Sequence, residues 1–153
     1  MVVRKMKSGK ALNHILSLVM NSLLNMPFWI YGSLFMELIE QLAEAALQRD
    51  SLRLRSLVQD MTRAGINWGS MPRPRTNDVR LLAIAASLAE LLATRQNQAP
   101  PMWTKEISAL KEPFFLLQSA EKMKRLRFLC ETQSPEPLRK RHLYAPPNFL
   151  EFA

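Results

Sequence analysis

Few residues in this chain are of types that do chemistry. Cys130 is the single cysteine, and His14 and His142 are the two histidines. A cysteine nucleophile needs a base beside it, and His142 is the candidate. Against that, Cys130 recurs with Met123 and Leu126 at helical spacing, so it falls on an apolar face and reads as a core thiol. His14 sits inside an apolar helical run and reads as structural. One cysteine and two histidines fall short of the usual ligands of a tight zinc site. Glu37, Glu40 and Glu44 share one helix face and could hold a cation. No partner motif supplies further ligands, so the trio reads as a solvated face. The sequence contains no glycine-rich phosphate loop, no HExxH and no GxSxG. The expectation is a chain that is not an enzyme, with no catalytic residues, cofactor, metal or small-molecule substrate.

Binding chemistry is better represented. Arg73 and Arg75 each follow a proline, on a semi-rigid loop beside Trp68. Guanidinium forks of this kind suit phosphate or carboxylate recognition, and they equally suit helix capping and surface packing. A second candidate is SPEPLRKRHLYAPPNFLEFA, residues Ser134 to Ala153. Pro135 and Pro137 predict an extended backbone that aims Arg139, Lys140 and Arg141 away from the preceding helix. Pro146 and Pro147 keep Tyr144 and Phe149 extended as well. A tail this apolar docks either on its own domain or on another chain, with the basic triplet at the rim of the contact. Burial is expected for Tyr144, Phe149 and Phe152. The arginines are expected to bond carboxylates or main-chain carbonyls. The candidate partner-binding residues are therefore Arg73, Arg75, Arg139, Lys140, Arg141, Tyr144 and Phe149. The nine methionines could adapt to a partner groove but read as core filler.

These residues need a scaffold, and the composition specifies a helical one. The chain has 153 residues, 48% of them hydrophobic, with four glycines. That length suits one domain with its own core, and unbranched Leu, Ala and Met favour helices. Periodicity predicts a first helix over 10–25 and a second from Pro27 to Arg49, with Leu34, Phe35, Leu38, Leu42 and Ala45 inward. A third is capped by Asp50 or Ser51, buries Leu54, Leu57, Val58 and Met61, and ends at Gly65. The stretch GINWGSMPRPRTND is a loop. Asn77 or Asp78 caps a fourth helix, deeply buried through Leu81, Leu82, Ile84, Ala85, Leu88, Leu91 and Leu92. A short helix is expected over 105–111, with Phe114 and Phe115 plugging the core after Pro113, and a final one over 120–131. From Thr132 the chain should be irregular. The expected architecture is an all-α, single-domain bundle of five or six helices over 1–153. It has a basic arm at 1–9 and an extended C-terminal tail at 132–153.

The net charge is +8. Such a chain can meet an acidic protein, nucleic acid or an anionic membrane. Arg4, Lys5, Lys7 and Lys10 precede an uncharged run over 11–36, which has the look of a membrane anchor. The polar stripe Asn13, Ser17, Asn21 and Asn25, with Pro27 and Gly32 interrupting the run, argues for a buried helix in a soluble, cytoplasmic protein instead. A lone cysteine also fits a reducing compartment.

Two stretches carry a resemblance. One is INWGSMPRPRTNDVRLLAIAASLAELLA followed by MW, and the other is ETQSPEPLRKRHLYAPPNFL. Spanning residues 53–150, they resemble a family of small helical bacterial proteins whose ends carry a Glu-Ser-Pro-x-x-Phe-Arg-x-Arg pattern. Here Arg139 and Arg141 match the two arginines, Leu138 stands for the Phe, and Glu131 is displaced from Ser134 by two residues. The resemblance implies an antitoxin-like partner of a nucleotidyltransferase-type toxin. The expected function is accordingly a non-enzymatic protein-interaction module that binds, and inhibits, another protein. A basic DNA-binding regulator is the alternative, although no segment reads as a helix-turn-helix and the basic clusters are split. Nucleic-acid binding is otherwise expected to be weak and non-specific. A protein anchored to a membrane by its first helix is the remaining alternative.

Overall fold

Thirteen consecutive residues of one helix, Leu81–Ala93, are buried, so this helix must be enclosed on every side. The structure, a computed structural model, describes residues 28–151. The expected first helix, the basic arm, His14, the asparagine stripe and Phe152 lie outside the described residues. Six α-helices are described: α1 (Phe28–Leu47), α2 (Ser51–Arg63), α3 (Val79–Arg95), α4 (Ser119–Lys122), α5 (Lys124–Gln133) and α6 (Glu136–Arg139). Strands β1 (Phe114–Phe115) and β2 (Leu143–Tyr144) join them, and the protein is an essentially all-α bundle. None of the described helices is long and apolar enough to cross a membrane.

The helix ends follow from local chemistry. Asp50 caps α2 by accepting from the Arg53 N–H, and Asp78 caps α3 by accepting from Arg80 and Leu81 N–H. Gly65 ends α2 at φ +63, a left-handed turn that glycine adopts without steric cost. Asn97 takes the same position after α3 at φ 54, and the Gln98 N–H then reaches back to the Ala93 carbonyl. Arg49 holds the equivalent place after α1 at φ 57, where a side chain is disfavoured. Its own contacts offset that strain. Its Nε donates to the Phe115 carbonyl, Nη2 reaches Glu121, and the guanidinium lies over the Phe114 ring.

Helix α3 is the central element, flanked by α1, by α6 and by the two 3-10 turns at Trp68–Ser70 and Met102–Glu106. Leu38, Ile39 and Leu42 of α1, Leu57 and Met61 of α2, and Ile84 and Leu88 of α3 share one core, joined by Leu138, Leu143 and Phe149. All four residues expected inward on α2 are buried.

Three expectations need correction. The helix expected over 105–111 is a 3-10 turn over Met102–Glu106, since Pro101 sets its start. Phe115 is buried and Phe114 packs against the core, as expected, and the two residues form a short strand. The helix expected over 120–131 breaks at Met123, which is extended at φ −101, ψ 101. Met123 is therefore 56% exposed and shares no buried face with Cys130. The segment from Thr132 is ordered and only partly extended. Pro137 lies in the first turn of α6, where a proline loses no hydrogen bond. Beyond it, β2 pairs in parallel with β1, Phe114 opposite Leu143 and Phe115 opposite Tyr144. Residues 116–142 supply the long crossover that a parallel pair requires.

Candidate functional site

Of the basic triplet, expected to point away from the preceding helix, Arg139 and Lys140 are exposed, whereas Arg141 turns into the bundle. Arg141 is 2% exposed and lies under the segment that links α3 to β1. Its Nη2 donates to Glu90 Oε1 at 2.8 Å, and its Nη1 donates to Glu90 Oε2 at 3.1 Å. The same guanidinium donates to the Thr104 carbonyl at 2.7 Å, Pro137 at 3.1 Å and Ile107 at 3.3 Å. The planar fork thus ties α3, the second 3-10 turn and α6 together, a geometry that lysine could not reproduce. Lys140 Nζ adds a 2.5 Å contact to Glu90 Oε2 from a half-exposed position. Arg139 is exposed and donates to the Thr132 carbonyl at 3.4 Å.

Burial by itself would raise the Glu90 pKa. Hydrogen bonds from Arg141, Lys140 and Thr104 outweigh it and hold the carboxyl at about 2, down from 4.5. The unfolded chain therefore binds this proton more tightly than the folded one. Stability from the site is complete above about pH 5 and is lost as pH falls towards 2, an effect on the order of 3 kcal/mol. Urea unfolding of the wild type and of Glu90→Gln between pH 7 and pH 2 checks this. The two stabilities should converge as pH falls, and a constant gap would contradict the assignment.

The rest of the tail is held just as firmly. The buried Ser134 hydroxyl accepts from the Ala145 N–H at 2.8 Å and donates to the Cys130 or Ala145 carbonyl. Phe149 is buried, and its carbonyl accepts from the Arg95 guanidinium. Tyr144 is half-buried with its ring 5.4 Å from that of Phe115. The aromatic tail therefore docks on its own domain. Of the seven candidate residues, Arg141 and Phe149 are committed to the interior.

Arg73 and Arg75 lie elsewhere and do not form one site. Arg73 makes a loose 3.4 Å pair with Glu106, and the main-chain N–H of Arg75 donates to Glu40. Trp68 is no surface neighbour for them, because it is fully buried. Cys130 is fully buried, and burial pushes its thiol pKa upward, away from the thiolate a nucleophile needs. The His142 Nδ1 lies 2.5 Å from the Leu110 carbonyl, so that ring is engaged away from the cysteine. Among the described residues no cluster of three or more His, Cys, Asp or Glu side chains forms.

One surface escaped the sequence reading. Helix α5 turns Cys130 inward and Phe128 outward, and Phe128 is 67% exposed. Lys124 and Arg125, four and three residues earlier, flank it on the same face. Arg127 is occupied by Glu131 at 3.0 Å and by the Phe115 ring. Lys122, Lys124 and Arg125 have no ion-pair partner among the described residues. The signal was present, since Phe128 does not fit the Leu126 and Cys130 spacing. Compared with known proteins, the chain matches no family model, no curated protein and no solved structure.

Proposed function

We propose that the chain is a non-enzymatic protein-interaction module that binds through the outward face of α5. One observation carries this reading: a large aromatic side chain stands mostly in water between unpaired cations. Phenylalanine and arginine are enriched in protein interfaces. An aromatic anchor supplies contact area there, and flanking charges supply orientation and encounter rate. Tyr144 and Phe149 cannot serve this purpose, because the ring of Tyr144 stacks near Phe115 of β1 and Phe149 is buried in the core. The sequence resemblance adds a candidate for the role, an antitoxin-like inhibitor of a nucleotidyltransferase-like toxin in the cytoplasm.

Affinity purification of the full chain from its native host, with mass spectrometry of bound protein and nucleic acid, tests the reading. The expected result is one protein retained in near-stoichiometric amount through a high-salt wash. Recovery of nucleic acid without protein would instead favour a basic DNA-binding regulator, whose affinity should fall steeply with salt.

A further inference from the structure

Resting on that reading, we infer that the α5 face takes an acidic protein segment carrying at least one apolar side chain, which packs on Phe128 while its carboxylates meet Lys124 and Arg125. Three features select this occupant. The cations are unpaired, so they attract negative charge without first breaking an internal bond. Phe128 is exposed beyond what solubility favours, so it gains most from an apolar contact that removes it from water. Finally, Glu131 remains on the rim of the same face, held by Arg127. A carboxylate there repels a phosphate backbone, whereas a polypeptide of mixed side chains can place a donor against it.

Other occupants fit less well. A second copy of this chain would bring the same cations face to face, and like charges across an interface oppose pairing. An anionic membrane would draw the cations, but interfacial helices present a continuous apolar face. The apolar face of α5 is instead turned inward through Leu126 and Cys130.

The test uses the full chain and two labelled synthetic peptides. One is a glutamate-rich helix with leucines along one face, and the other has those leucines replaced by serine. Fluorescence anisotropy should give clear binding of the leucine peptide and much weaker binding of the serine peptide. Phe128→Ala should weaken the leucine peptide by about tenfold or more. Lys124→Glu with Arg125→Glu should abolish its binding. Both variants should melt at the wild-type temperature, because all three side chains are exposed. Equal binding of the two peptides, or no effect of Phe128→Ala, would overturn the inference. So would tighter binding of duplex DNA or of phosphatidylserine vesicles that the charge reversal removes. A host protein captured equally by wild type and charge-reversed chain would leave protein binding standing and refute the α5 face as its site. Peptide binding as expected with no host protein captured would do the reverse.

Discussion

Arg141→Ala is expected to lower the unfolding free energy by about 3–5 kcal/mol, the range for removing one partner of a buried ion pair. The reason lies in what remains. Glu90 is 6% exposed, and without the fork its carboxylate keeps only Lys140 as a charged partner. The carbonyls of Thr104, Ile107 and Pro137 lose a shared donor at the same time. A typical domain has only about 5–15 kcal/mol in total, so the variant should populate unfolded chain under mild stress. Arg141→Lys should recover only part of the loss, since an ammonium cannot make two parallel bonds to one carboxylate. Lys140→Ala should cost less than about 1 kcal/mol, because its side chain is 46% exposed. Urea denaturation of the three variants gives the ranking. A double cycle with Glu90→Ala isolates the pair, and independence of the two substitutions would refute the coupling.

The same pair marks where the sequence stops being readable. Helices α1 to α3 announce themselves through apolar periodicity, Asp50, Gly65 and Asp78, all of them local signals. Glu90 stands alone in an apolar run of α3, a visible anomaly, since a buried carboxylate demands a cation. Which cation answers it is not local: the partner lies 51 positions further on. The pairing of β1 with β2 was hidden for the same reason, as two-residue strands leave no alternating pattern. Pro137 misled because proline suits an extended segment and the first turn of a helix alike. The break at Met123 has no proline or glycine to signal it. The outward turn of Phe128 was legible without the break, since it stands two residues from both Leu126 and Cys130 and so falls opposite their apolar face.

Removing Leu143–Ala153 should unfold most of the domain at physiological temperature, since internal docking of this tail is what the structure describes. Leu143 and Ala145 are fully buried, and Phe149 is 8% exposed. Burying a leucine or phenylalanine side chain contributes roughly 1.5–3 kcal/mol each. The deletion also strips the Leu116 N–H of its acceptor on Tyr144, and Arg95 of its acceptor on Phe149. Ser134 loses both of its contacts to Ala145. Together these losses rival the total stability of a domain this size. Should the truncated chain prove too poorly folded to study, Leu143→Ala offers a graded version, with an expected loss of about 2–5 kcal/mol from the cavity it leaves in the core. Thermal melting followed by circular dichroism reads both. A truncated chain that melts with the wild type would mean that the tail contributes nothing to the core. In that case the burial of Leu143 and Phe149, and the crossover that brings Arg141 to Glu90, would have to be abandoned together, because α6 and β2 are consecutive elements of one path.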